Sequence, residues 1–389
     1  LIRMNILQVH KYFWKRDGAS NYMFELSEIL HKNGHNIIPF STKQKDNEQS
    51  PYQKYFVPFY DLSNPKKLSL GQKIAAVDNF IYSHKAKMQL TALLDNEAHI
   101  DVAHIHNIYH HITPSILPLL KKRGIKVVMT LHDYKLISAN YSLFHHGQNN
   151  TDDKDYWYIK GFLNKTTKDS YAKSALTTFE MIFHHKIMNY YKKYVDVFIA
   201  PSQFMKDICV QHGWPAEKIV HVPHPAFFQK NYHYKDGDYV AYVGRLSEEK
   251  GVHHLIQAAE RLPSIPFKIV GSGPQQKYLK SEVKRLNLAN VTFTGFHTGK
   301  SLQSLINGAK LLILPSIWNE NYPLSILEAK SAPKVVLASD IGGLPEMLPK
   351  ELLFAPGDVH HMAQKINEWF TCDTSKRERM ANRLHKQVL

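Results

Sequence analysis

Short apolar runs alternate with helical periodicity along this chain, and the alternation starts afresh in its second half. Asn5 to Val9 is an apolar strand. Tyr22 to Asn33 carries Phe24, Leu26, Ile29 and Leu30 at helical spacing until Gly34 stops it, and Asn36 to Phe40 is a second strand. The unit recurs as strand Val102 to Ile105, a helix through Leu117 to Lys122 stopped by Gly124, and strand Lys126 to Met129, and Val197 to Ala200 is a further strand. Beyond it Tyr239 to Val243, Phe267 to Val270, Val291 to Thr294, Leu311 to Leu314 and Val335 to Ala338 are short apolar strands with helices between. Strands joined through helices run parallel. The sequence therefore predicts an α/β protein of two Rossmann-like, doubly wound parallel-sheet domains in series. A length of 389 residues with 43% hydrophobic content fills two such cores. His221 to Asp238, with Pro223, Pro225 and Gly237 among charged residues, reads as the linker, so the domains are expected at 1–225 and 226–389. Gly147 to Asp155 is polar and reads as loop.

Composition excludes several classes. No run approaches the ~18 apolar residues of a membrane span, and Leu1 to Val9 is too short for a signal peptide, so a soluble, cytoplasmic chain is expected. Two cysteines, Cys209 and Cys372, can build neither a disulfide framework nor a cysteine-rich metal site. The net charge of +15 attracts polyanions, and nucleic acid, anionic lipid, nucleotide phosphate or simple solubility would each account for it.

In doubly wound sheets, ligands bind just beyond the carboxyl ends of strands. Three segments there carry chemistry. After Leu314 comes Pro315-Ser-Ile-Trp-Asn-Glu320-Asn-Tyr-Pro-Leu-Ser-Ile-Leu-Glu328, two carboxylates separated by seven residues. If Pro323 opens a helix there, the free amides of Leu324 and Ser325 face an anion, with Glu320 in the loop before it and Glu328 inside it. After Val243 comes Gly244-Arg245-Leu-Ser-Glu-Glu-Lys250-Gly251, whose arginine fork and lysine point charge can clamp a diphosphate. After the first strand, Asp17-Gly18-Ala19 precedes a helix and lets backbone amides reach a phosphate. The Gly-x-Gly-x-x-Gly dinucleotide fingerprint is absent, which disfavours hydride chemistry on NAD.

At Gly18, Arg245, Lys250, Glu320 and Glu328 the chain resembles the retaining glycosyltransferases of family 4, whose GT-B architecture implies two Rossmann-like domains facing each other across a cleft. The likeness extends over most of the chain. It includes His104 to Leu117, Thr130-Leu-His-Asp-Tyr-Lys-Leu136, Ala200-Pro-Ser202, Gly271-Ser-Gly-Pro274, Gly295-Phe296 and Ser339-Asp-Ile-Gly-Gly-Leu-Pro-Glu346. The resemblance implies a UDP- or GDP-sugar donor, with Arg245 and Lys250 on its diphosphate, Glu328 on the ribose and Glu320 at the transferred sugar. His132 would lie near the sugar and the acceptor, a glycan or lipid-linked hydroxyl of cell-surface polysaccharide synthesis. No metal and no further cofactor are expected.

Four departures from that family stand out. Asp17-Gly18-Ala19-Ser20 replaces Gly-Gly-x-Glu, Ala332-Pro333-Lys334 replaces a glycine turn, and Ser138-Ala139 stands where relatives have Cys-Pro. The sequence stops at Leu389, before the position at which the family's helix crossing back to the first domain is expected.

Other readings compete. His104, His106, His110 and His111 suggest a metal site, but no cysteine or carboxylate set completes one, so cleft or core histidines are expected. Asp236-Gly-Asp238 resembles a metal-holding Asp-x-Asp, yet it precedes a strand and reads as a turn. A sugar-nucleotide epimerase of the same shape and a basic nucleic-acid-binding protein are the alternatives in function, though a nucleic-acid recognition motif is not visible. Tyr171 to Tyr194 reads as a long aromatic and basic helix, either packed on the first domain or lying peripherally on an anionic membrane face.

Overall fold

The computed structural model describes residues 3–61, 69, 71, 79–97, 99–149, 158–226 and 234–388. Two compact units result, one of residues 1–141 with 151–223, the other of residues 142–150 with 224–389. The described part of the linker segment is divided between them, and its residues 227–233 lie outside the description.

The first unit is built on a six-stranded sheet of β1 (Asn5–Val9), β2 (Asn36–Phe40), β3 (Val102–Ile105), β4 (Lys126–Thr130), β5 (Val197–Ala200) and β6 (Ile219–His221), in the order β6-β5-β4-β3-β1-β2. Every pairing is parallel, for example Ile6 opposite both Val102 and Ile37. Leu7, Val9, Ile38, Phe40, Ala103, Ile105 and Val127 are all fully buried. Helices cover both faces of such a sheet, which is why these strands read as continuous apolar runs rather than as alternating ones. The chain winds outward in opposite directions from β1 and β3, and their carboxyl ends form the switch point.

The second sheet comprises β7 (Tyr239–Val243), β8 (Phe267–Val270), β9 (Val291–Gly295), β10 (Ala309–Leu314), β11 (Val335–Ser339) and β12 (Leu353–Phe354). Its order is β9-β8-β7-β10-β11-β12, again all parallel, with the switch point between β7 and β10. Helices Val359–Thr371 and Thr374–Lys386 close this core with Met362, Ile366, Trp369, Met380 and Leu384 buried.

Several local expectations are corrected. The first helix begins at Gly18 rather than Tyr22, because Asp17 caps it: its carboxylate accepts from the Ser20 amide at 3.0 Å and the Ser20 hydroxyl accepts from the Asp17 amide at 2.9 Å. The Tyr171 to Tyr194 helix is broken. Helix Tyr171–Ile182 passes into a π-turn over Phe183–Ile187, and left-handed Asn189, at φ 48°, separates it from helix Tyr190–Tyr194. The polar stretch after Gly147 lies in the description only as far as Asn149, where Gln148–Asn149 pairs antiparallel with Phe144–His145 and joins the second unit. Asp236 is committed to Arg377 at 2.7 Å and to the hydroxyls of Tyr234 and Thr374, which gives its carboxylate a structural use.

The Ala332-Pro333-Lys334 turn has a specific solution. Ala332 ends its helix at φ −92°, and Lys334, 1% exposed, sends its ammonium to the carbonyls of Lys235, Asn307 and Ala309 at 2.6, 2.6 and 2.8 Å. A buried ammonium survives only with such partners. Lys334→Met keeps the volume and leaves three carbonyls unpaired, so urea unfolding should show the second unit destabilised by ~2 to 4 kcal/mol. Unchanged unfolding would show that the carbonyls find water instead.

Candidate functional site

The loops leaving β7 and β10 meet at the switch point of the second sheet. Between Lys250 and the helix Val252–Glu260 stands Gly251, left-handed at φ 65°, where an added Cβ would come to 1.9 Å from the Pro315 carbonyl oxygen. Only glycine lets the two backbones approach so closely. The Ile317 amide bonds the Glu249 carbonyl at 2.9 Å, so the second loop is tied to the first.

Glu320 sits in this junction, 3% exposed. Its Oε1 accepts from the Lys250 ammonium at 2.7 Å and from the Ser316 hydroxyl at 2.5 Å. The Glu320 backbone is held as well: its carbonyl accepts from the Gly343 amide at 2.7 Å, and a Cβ at Gly342, φ 61°, would meet that same carbonyl at 2.3 Å. The loop after β11 thus presses directly on the carboxylate's own residue. Trp318 adds an aromatic face 4.9 Å from the Lys250 ammonium.

Helix Leu324–Ser331 follows. Pro323 is its cap residue in an extended conformation, at ψ 128°, rather than its first helical residue as the sequence suggested. No side chain caps this end, so the amides of Leu324 and Ser325, which an α-helix leaves without internal partners, point outward from the first turn. Glu328 is exposed on the same helix and Arg245 is exposed in the loop after β7.

Sequence reasoning missed three contributors here. Ser316 is an ordinary serine until the fold places it on Glu320. Asn149 clamps the loop from far away in sequence, donating to the Ile317 carbonyl at 2.9 Å and accepting from the Asn319 amide at 3.0 Å. The Gly342-Gly343 pair was legible only as part of a matching segment. No local pattern announces the first two.

The carboxyl edge of the first sheet is different in character. His106, after β3, bridges Gln8 Oε1 at 2.7 Å and His132 Nε2 at 2.9 Å, and Tyr22 packs edge-on against His132 with ring centroids 5.2 Å apart. His104 bonds the Thr130 hydroxyl at 2.7 Å, His110 stacks on Phe80 and bonds Glu180, and His111 stacks on Phe59 and bonds the Tyr60 carbonyl. These four histidines go to separate partners instead of converging on one point. Burial holds His10 and His104 at a pKa of about 4, so both are neutral at pH 7. Glu180 is the reverse case. Its burial alone would raise it, but Lys135 at 2.8 Å and His110 at 3.2 Å outweigh that and hold it ionised. Gly18 is exposed at the start of its helix, where an added Cβ would meet nothing within 4 Å.

The two sheets, with their strand orders, define a GT-B fold. Sucrose-phosphate synthase from Thermosynechococcus elongatus superposes with a TM-score of 0.70 over 99% of this chain and 94% of that one, at 18% identity. Anabaena HepE in complex with UDP and glucose gives 0.60 over 99% and 95%, at 17%. The chain belongs to glycosyltransferase family 4. Residues 16–226 match the family described as Glycosyltransferase Family 4, and residues 224–387 match Glycosyl transferases group 1. A protein of the cps region of Klebsiella pneumoniae is 24% identical over 88% of this chain and 87% of its own length. The 2-deoxystreptamine glucosyltransferase of Streptomyces kanamyceticus is 32% identical over 33% of this chain and 35% of its own. The chain spans only 31% to 42% of the length of the first curated relatives it matches. Among the described residues no helix is long and apolar enough to cross a membrane.

Asp133, beside His132, gives a test of the first edge. Its carboxylate accepts from the Tyr109 hydroxyl and from the Lys135 amide at 3.0 Å, and burial pushes its pKa up from 3.8 to about 6. The folded chain therefore binds more protons than the unfolded one between those two values, and this group's contribution to stability falls as pH rises through that window. Asp133→Asn removes the dependence. Its melting temperature relative to wild type should rise from pH 4 to pH 7, and a flat difference would show that the carboxylate is not destabilised by its surroundings.

Proposed function

We propose that this chain is a retaining, metal-independent glycosyltransferase that moves a hexosyl group from a UDP- or GDP-sugar to a hydroxyl of a glycan or lipid-linked acceptor. The observation that carries the reading is Glu320, a buried carboxylate fixed by Lys250 and Ser316 at the switch point, next to the uncapped amides of Leu324 and Ser325. That combination offers a negative group for sugar hydroxyls and positive ends for a diphosphate within one set of loops. HepE, solved with UDP and glucose, supports a UDP donor. The relatives from a cps region and from colanic acid biosynthesis support a role in cell-surface polysaccharide synthesis.

In this reading Arg245 and Lys250 neutralise the diphosphate as its bond to the sugar breaks, and the Leu324 and Ser325 amides add partial charge. Glu328 takes the ribose hydroxyls. Glu320 orients the sugar, and Lys250 and Ser316 hold its carboxylate in place. The anomeric carbon loses the phosphate oxygen and gains the acceptor oxygen on the same face, and the departing phosphate oxygen receives the acceptor proton. The first unit serves the acceptor through His132, held by His106 and Gln8. With Ser20 already bonded to Asp17, the amides of Gly18 and Ala19 are left to reach a phosphate.

Arg245→Ala should lower kcat/KM by ~2 to 4 kcal/mol of transition-state stabilisation. Glu320→Gln should cut kcat far more than it raises the donor KM, and Glu328→Gln should do the opposite. Turnover should persist in excess EDTA, and an α-linked donor should give an α-linked product by NMR of the anomeric proton. A β-linked product would refute retention. Turnover lost in EDTA and restored only by manganese or magnesium would refute metal independence.

A further inference from the structure

The broken helix of the first unit turns an apolar ridge outward. Along helix Tyr171–Ile182 the buried positions are Ser174, Thr177, Thr178, Glu180 and Met181, a largely polar face whose only carboxylate is paired with Lys135. The opposite face carries Tyr171, Ala175 and Phe179 at spacings of four, and Tyr171 and Phe179 are 53% and 52% exposed. An ordinary surface helix has the reverse pattern. The ridge continues through Phe183, stacked on Phe179 with ring centroids 6.2 Å apart. The π-turn adds one residue to the register, so Ile187 and Met188 both emerge, 60% and 39% exposed. Helix Ile159–Leu163 packs beside it and brings Ile159 and Leu163, 45% and 60% exposed, with Phe162 against the Tyr171 ring.

The charges bordering this ridge have almost one sign. From 159 to 188 the acidic residues are the buried Glu180 and the exposed Asp169, against Lys160, Lys165, Lys168, Lys173 and Lys186, and Lys165 lies over the Tyr171 ring. A second copy of the chain would bring lysines against lysines across a two-fold interface. An anionic lipid surface instead takes the apolar side chains between its headgroups and the ammonium groups at its phosphates.

We propose that the ridge of Tyr171, Phe179, Phe183, Ile187 and Met188, with Leu163 beside it, is a docking surface for an anionic membrane. The proposal stands apart from the transfer reaction and holds whichever sugar is moved. Co-sedimentation with phosphatidylcholine vesicles, with and without phosphatidylglycerol, tests it at low and physiological salt. Binding should require phosphatidylglycerol, weaken as salt rises, and fall roughly tenfold or more in the double charge reversal Lys173→Glu with Lys186→Glu. Both lysines are exposed, so that variant keeps its fold, which thermal melting would verify. Phe179→Asp with Ile187→Asp should abolish binding. Absence of binding to phosphatidylglycerol vesicles at low salt, or wild-type binding by both variants, would overturn the proposal. So would a dimer in lipid-free sedimentation equilibrium that Phe179→Asp with Ile187→Asp dissociates, because a second copy would then cover the ridge.

Discussion

Parallel pairing is the constraint from which the other features follow. In each sheet every strand runs the same way, so all carboxyl ends share one edge and each loop leaving that edge climbs into a covering element. Helix amino termini collect there, with amides unpaired by the helix itself. Between β1 and β3, and between β7 and β10, the neighbouring strands lead away in opposite directions and their loops separate. Groups as distant in sequence as Lys250 and Glu320 come together because one follows β7 and the other follows β10.

A carboxylate buried as deeply as Glu320 costs several kcal/mol unless it is paired and hydrogen-bonded. Lys250 and Ser316 offset that cost, and they can do so only if two loops hold their backbones to within a fraction of an ångström. Gly251 and Gly342 permit that closeness, since any side chain at either position would overlap a carbonyl oxygen. The same bonds that stabilise the junction therefore fix the direction of the carboxylate. A residue held this way reorganises little when a ligand arrives, which is what electrostatic catalysis requires.

The strands were legible because both faces of each are covered, which writes them as uninterrupted apolar runs such as Val335-Val-Leu-Ala338. Glu320, Lys250 and Arg245 were legible because each stands shortly after such a run. Asn149 was not, because its bonds to Ile317 and Asn319 span about 170 positions and nothing local requires an asparagine there. The Asp17 cap is visible in the sequence as an odd carboxylate but not as a cap, since its partner Ser20 precedes the apolar periodicity that marks the helix from Tyr22. The break at Asn189 leaves no mark in the sequence because the segment's apolar residues continue on both sides of it. Periodicity reports which side chains are apolar but not which of them face inward.

The two carboxyl edges differ in the groups that their hydrogen bonds join. That of the second sheet concentrates fixed ions, with Lys250 and Glu320 in contact and Arg245 exposed nearby in sequence. That of the first sheet adds directional groups beside the Lys135–Glu180 ion pair: Gln8, His104, His106 and His132 are linked to one another or to Thr130 by single hydrogen bonds. A fixed ion suits a ligand whose charge is permanent, such as a diphosphate, because attraction persists at every stage of its binding. A neutral imidazole can donate from one nitrogen and accept at the other, which suits a hydroxyl that must be oriented without first being ionised. Burial holds His10 and His104 near pKa 4, so these two imidazoles stay uncharged across the physiological range even though the same edge holds the Lys135–Glu180 ion pair.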